Sequence, residues 1–160
     1  MRTNAHIKQY INKITLWLEQ KGFQPEVVQH VMRVVIVKSN GYTNPLLMFD
    51  KESILVNIVH SRPIPYKYRG QLTEQLEQLN IEGVSYAYGF DKYDRALMYA
   101  DLLPISGSNA DSDNRLDEFC QRAFIVAPQM LDDLVASTIE TPVIINCISC
   151  EYNINRQVNY

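Results

Sequence analysis

The sequence predicts an α+β fold: a single antiparallel sheet of about five strands packed by three helices, in the order α-β-β-β-α-β-β-α. Three observations carry this. Apolar residues recur at helical spacing in three separated segments. Between them lie runs rich in β-branched residues, joined by loops too short for a parallel crossover. The composition is that of a globular protein, 46% hydrophobic and 21% charged over 160 residues. A chain of that length buries roughly 70% of the surface its unfolded form exposes.

The first element is an amphipathic helix. Ile7, Tyr10, Ile11, Ile14, Trp17 and Leu18 share one face, and Lys8, Asn12, Lys13 and Glu19 lie away from it. Gly22 stops it and Pro25 reinforces the break. Three strand-like runs follow. "HVMRVVIVK" (30–38) ends at the turn formers "SNGYTNP", and "PLLMF" (45–49) and "ILVNIVH" (54–60) flank "DKES" as a hairpin. A second helix is led by Pro65, striped by Leu72, Leu76 and Leu79, and closes near Asn80 or Gly83.

Two further strands turn at "DKYD" (91–94) and end at Pro104. After the polar linker "SGSNADSDN", the last helix carries a continuous stripe from Leu116 through Phe119, Phe124 and Leu131 to Leu134, with Pro128 expected to kink it. Residues 1–137 therefore read as one domain. Residues 138–160 read as a C-terminal extension, strand-like through "TPVIINCISC" and then polar and mobile.

These segments resemble the YbjN-like family, bacterial proteins described as sensory-transduction regulators, whose fold is similar to that of type III secretion chaperones. The resemblance spans about residues 7–134. It lies in "YINKITLWLEQKGF", in the hairpin "LLMFDKESILVNIV", in the proline-led helix "IPYKYRGQLTEQLEQLN", in the strand pair ending at Leu103-Pro104 and in the final helix with Pro128. The chain departs from the pattern in its long linker at 106–114 and its C-terminal extension. The resemblance implies a small α+β domain, often dimeric, that binds another polypeptide, and it supplies no catalytic residues.

The residues themselves carry no catalytic signature. Net charge is −3, so no global field favours nucleic acid or acidic membranes. Arg62, Lys67 and Arg69 interleave with Tyr66 and Tyr68, but the patch is small for a nucleic-acid footprint. The longest apolar runs are a few residues, such as "VVIV", against the ~20 a membrane span needs. With no secretory h-region and an odd three cysteines, a cytoplasmic location is expected.

Cys147 and Cys150 form a lone C-x-x-C with no second ligand pair for zinc, and no βαβ pattern for a redox motif. "DSDNRLDE" fails as a calcium loop, with Leu116 where glycine is needed and Arg122 where a glutamate belongs. His60 and Ser61 point to opposite faces of a strand. No metal and no cofactor are expected.

What remains is surface. In "VSYAYGF" (84–90), Tyr86, Tyr88 and Phe90 share one face, while Ser85, Ala87 and Gly89 leave the other nearly bare, open to close approach by a helix. Leu46 and Met48 oppose Leu47 and Phe49, and along the last strand Leu97, Tyr99 and Leu103 oppose Met98 and Leu102. Both faces of the sheet are thus apolar, more than three helices can roof over, and leftover apolar area marks a contact surface. Tyr86, Tyr88, Phe90, Leu47, Phe49 and Tyr99 are the expected partner-binding residues, the rings filling the domain's own core being the equal alternative. The expected function is a non-enzymatic protein-binding module, chaperone-like or regulatory, homodimeric, holding a peptide or partner protein. The extension at Val143–Ile148 is a strand available for addition to a sheet edge. The alternative is a small enzyme or ligand-binding domain with a pocket near His60 and Asp101.

Overall fold

In the computed structural model, residues 2–28, 33–36, 45–91, 95–106 and 113–140 are described. Helix α1 spans Arg2–Gln20 and is followed by strands β1 (Pro25–Val28), β2 (Arg33–Ile36), β3 (Leu46–Phe49) and β4 (Ser53–Pro63). A 3-10 turn, Tyr66–Tyr68, leads into α2 (Arg69–Leu79), and β5 (Ala87–Phe90) and β6 (Ala96–Pro104) complete the sheet. The last helical arm is α3 (Asp113–Gln121), a π-helical turn Arg122–Val126, α4 (Ala127–Val135) and a second π turn, Ala136–Glu140. No described helix is long and apolar enough to cross a membrane.

All six strands form one antiparallel sheet in the order β1-β2-β3-β4-β6-β5. The fold class and element order follow the sequence, with one strand added. Pro25–Val28 pairs with β2, where the sequence reads only as a break after the first helix. Proline is tolerated there because β1 is an edge strand, with β2 its sole neighbour in the sheet.

Two helix boundaries have local causes. Gly22 takes the positive φ of 86° that ends α1, and Phe23 N–H returns to the Leu18 carbonyl. The expected interruption at Pro128 is a widened turn just before it. The Ala127 N–H reaches back five residues to the Arg122 carbonyl, and proline sits in the first turn of α4, where its missing N–H costs least.

One face of the sheet is the core. Ile54, Val56, Ile58 and His60 of β4 are buried, as are Leu97, Tyr99, Asp101 and Leu103 of β6. Against them pack Ile14 and Leu18 of α1 and Phe119, Phe124, Leu131 and Val135 of the helical arm. Trp17 Nε1 donates to Asp117 Oδ1 at 2.8 Å, tying α1 to α3. The π turn at Ala136–Glu140 carries the arm into the C-terminal extension; residues 141–160, including Val143–Ile148, Cys147 and Cys150, lie outside the described residues. So do the turn residues 92–94 and most of the 106–114 linker.

Candidate binding surface

The sheet's second face is built by the residues that alternate with the core. On β4 these are Leu55, Asn57 and Val59, and on β6 Met98, Ala100 and Leu102. The register sets them in rows across the strands. Met48 lies beside Leu55 and Leu55 beside Leu102; Leu46 beside Asn57, Asn57 beside Ala100 and Ala100 beside Ala87; Val59 beside Met98 and Met98 beside Gly89. Leu55 and Leu102 are 36% and 37% exposed, where their strand neighbours on the core face are almost fully buried. An aliphatic face so placed resembles an interface more than a solvated sheet surface, which carries polar side chains. At its centre, Asn57 Oδ1 is enclosed and accepts no hydrogen bond from the described residues.

The expected partner-binding residues take the other side. Leu47, Phe49, Tyr88 and Tyr99 are buried in the chain's own core, and Tyr86 and Phe90 pack against it partly covered. Tyr86, Tyr88 and Tyr99 form a ring cluster with centroids 5.1 to 6.4 Å apart. The rings turn inward, as in the equal alternative, and the bare side of β5 is the open one. Among the described residues no helix approaches it, since a Cβ added at Gly89 would meet nothing within 4 Å and Ala87 is exposed. The physical reason is burial: Tyr88 and Tyr99 share the core with Phe119, Phe124 and Leu131 of the helical arm, which removes their rings from water.

Beside that cluster lies an ion pair with a buried carboxylate and a partly exposed guanidinium. Arg122 donates from Nε and Nη2 to Asp101 Oδ2 at 3.3 and 3.0 Å, while its guanidinium lies 5.4 Å from the Tyr86 ring centroid. Tyr99 O–H donates to the same Oδ2 at 3.0 Å, and the Leu102 N–H to Oδ1 at 2.8 Å. Burial first, and then the Asp101 charge, hold the Tyr99 phenol well above its ordinary range. Arg122 opens the π turn, which aims it at the sheet; in the sequence it is visible only as a residue that disqualifies a calcium loop. Its outer side borders a polar cleft of ≈ 350 Å³ shared with Ser85, Arg115 and Glu118.

His60 belongs to a different place. Its Nδ1 accepts the Arg62 N–H at 3.1 Å, so Nε2 carries the proton and donates to Asp132 Oδ1 on α4 at 2.9 Å. Asp101 pairs with Val56, four residues back along β4, about 13 Å at the rise of a strand. The two residues do not share one pocket. Among the described residues no cluster of three or more His, Cys, Asp or Glu side chains is placed to hold a metal.

No protein-family model and no curated protein sequence matches the chain. Solved structures do. The Yersinia pestis type III secretion chaperone SycH, solved in complex with a stable fragment of YscM2, superposes with a TM-score of 0.50 at 15% identity, covering 79% of this chain and 98% of that one. YbjN, a putative transcription regulator from E. coli, gives 0.46 at 13% identity, covering 79% and 86%. A chain of the ExoU–SpcU complex of the Pseudomonas aeruginosa type III secretion system gives 0.45 at 15%, covering 79% and 98%. The chain has the type III secretion chaperone-like fold.

Proposed function

We propose that this chain is a non-enzymatic, cytoplasmic protein-binding module, chaperone-like or regulatory, which homodimerises and holds a peptide or partner protein. The observation that carries the reading is the open aliphatic face centred on Leu55 and Leu102, with Met48, Val59 and Met98 around them. Covering such a face removes apolar area from water, about 25 cal/mol for each Å². The shared fold with SycH, itself solved with a bound polypeptide fragment, supports the same class of role. The buried polar groups serve structure: Asp101 is taken by Arg122, Tyr99 and a backbone N–H, and His60 by Asp132 and Arg62.

The test replaces Leu55 and Leu102 together by glutamate. The double variant keeps its far-UV circular dichroism but loses the mass of a dimer by sedimentation equilibrium and loses any partner that the wild type captures stoichiometrically. A wild-type mass of one chain at micromolar concentration and above overturns the dimer. A double variant that binds its partner as the wild type does overturns the open face as the binding surface.

A further inference from the structure

The ladder between β5 and β6 opens at one end. Its outermost pair there is Ala87 with Ala100, and the same register would set Ser85 beside Leu102, but β5 begins only at Ala87. Asn80 holds the N–H and C=O of Tyr88, so these two groups turn away from β6 and those of Ala87 turn toward it. By the same alternation the N–H and C=O of Leu102 face the side that β5 has left. The Leu102 N–H is taken by Asp101 Oδ1 at 2.8 Å. The Leu102 carbonyl receives nothing from β5.

This opening is the cleft of ≈ 350 Å³, bordered by Ser85, Leu102, Arg115, Glu118 and Arg122. Arg122 is pinned on its inner side by Asp101 through Nε and Nη2, and a guanidinium carries five N–H groups, more than that carboxylate uses. Arg115 joins it from α3, where Glu118 is its helical neighbour three residues on. The walls therefore hold two guanidiniums and one carboxylate, with Asp101 behind them answering Arg122. A singly charged group with two oxygens suits that set, because guanidiniums take carboxylates in bidentate fashion. Glu118 opposes the double charge of a phosphate. Leu102 belongs to both places: its side chain is part of the open aliphatic face, and its backbone edge lies in the cleft.

We propose that this cleft takes the carboxylate of an acidic side chain in the bound polypeptide. Arg115 and Arg122 donate to its oxygens, and the Leu102 carbonyl accepts a backbone N–H of the same segment. A polypeptide lying on the open face meets the cleft at Leu102 without leaving the surface. The polypeptide as source rests on the function proposed above; the preference of the cleft for a carboxylate does not. Glu118 competes with the incoming acid for Arg115, so its charge weakens the binding.

The test titrates the full chain with N-acetyl-aspartate N-methylamide, which offers one carboxylate and backbone-like N–H groups, and follows arginine Nε–H and backbone amide signals by NMR. Signals of Ser85, Leu102, Arg115 and Arg122 shift and saturate at millimolar probe, and the asparagine analogue binds about tenfold more weakly or less. Arg115→Gln weakens the capped aspartate about tenfold with the rest of the amide spectrum unchanged, and Glu118→Gln tightens it several-fold. Succinate and inorganic phosphate both bind more weakly than the capped aspartate. No saturation by about 50 mM probe, equal binding of the asparagine analogue, unchanged affinity in either variant, or phosphate binding as tightly overturns the carboxylate site. Succinate binding as tightly or more so overturns a polypeptide as the source. The titration needs no partner protein, so it can fail while the double variant at Leu55 and Leu102 still loses its partner, and the reverse.

Discussion

The Asn80 carboxamide makes two hydrogen bonds to the backbone of Tyr88: its Nδ2 donates to the Tyr88 carbonyl and its Oδ1 accepts the Tyr88 N–H, each at 2.8 Å. Asn80 is the C-cap of α2, and Tyr88 lies on β5, the edge of the sheet. One side chain therefore does for the free edge what another strand would do, and closes it to strand addition at that point. The tail strand expected at Val143–Ile148 has no open site at Tyr88.

Asn80→Ala is expected to cost about 1–2 kcal/mol, the net worth of two hydrogen bonds that water partly replaces. It also uncovers the edge, so concentration-dependent self-association rises. Asn80→Asp falls between, since a carboxylate accepts from the N–H but cannot donate to the carbonyl. Denaturation midpoints and light scattering across protein concentration check both effects. An alanine variant with unchanged midpoint and mass would show that the bonds contribute nothing.

Arg122→Gln is expected to destabilise more than Asp101→Asn. The Asp101 carboxylate is fully enclosed and the Arg122 side chain one-third exposed, so removing the cation strands a buried charge while removing the charge leaves only a partly hydrated cation. The scale for a stranded charge is about 3–5 kcal/mol, and the exposure of Arg122 places its loss at or below the low end. Asp101→Asn keeps a carbonyl for the Tyr99 O–H and costs about 1–2 kcal/mol. Urea denaturation of the two variants decides the order; the reverse order would mean that the pair is not what anchors the π turn to the sheet.

High pH should unfold the chain through its inner tyrosines. Burial, reinforced by the neighbouring Tyr86, pushes the Tyr88 phenol up to about 12 from its ordinary value of 10.0. The unfolded chain then loses its proton at a lower pH than the folded one, so above pH ~10 the folded state holds more protons and stability falls as pH rises. Below pH ~10 both states are protonated at this group and it adds no slope. The loss develops between about pH 10 and 12, and Tyr99 extends it further up. Urea midpoints at pH 8.5 and 11 check this. Tyr88→Phe, which leaves no phenol to ionise there, shows a shallower decline, and an identical decline would remove Tyr88 from the account.

Element order was legible because it rests on local spacing. The stripe from Ile7 to Leu18 and the β-branched run from Ile54 to His60 are each set within one segment, and each forms the element its local pattern predicts. The orientation of β5 was not, because "VSYAYGF" reads equally well with its rings in or out. What decides is the helical arm 20 to 50 residues later in sequence, where Phe119, Phe124 and Leu131 share the core with Tyr88 and Tyr99. Asn80 and Arg122 were missed for the same reason, since a lone amide and a lone guanidinium have no spacing to betray them. Their partners, Tyr88 and Asp101, are named only by the fold. The open face was legible as an excess of apolar residues, though not as the particular row Met48, Leu55, Leu102.

Asn57 offers a test that separates binding from folding. It stands at the centre of the open face, between Leu46 and Ala100 in register, and its Oδ1 has no hydrogen-bond partner among the described residues. An enclosed amide oxygen left unsatisfied is a cost to the isolated chain, and an amide suits a central strand less well than a β-branched residue. Asn57→Val is therefore expected to stabilise the chain, by about 0.5–1 kcal/mol, with the fold unchanged. Because that oxygen is enclosed, a bound polypeptide's N–H reaches it only where binding parts the side chains around it; where it does, the same substitution weakens the binding by about tenfold, the value of one buried hydrogen bond. Thermal denaturation reads the first effect and titration of the partner the second. A variant that is more stable and binds as tightly as the wild type would show Asn57 to be a defect of the sheet. A variant that is more stable and binds less tightly would place the polypeptide across the row formed by Leu46, Asn57 and Ala100.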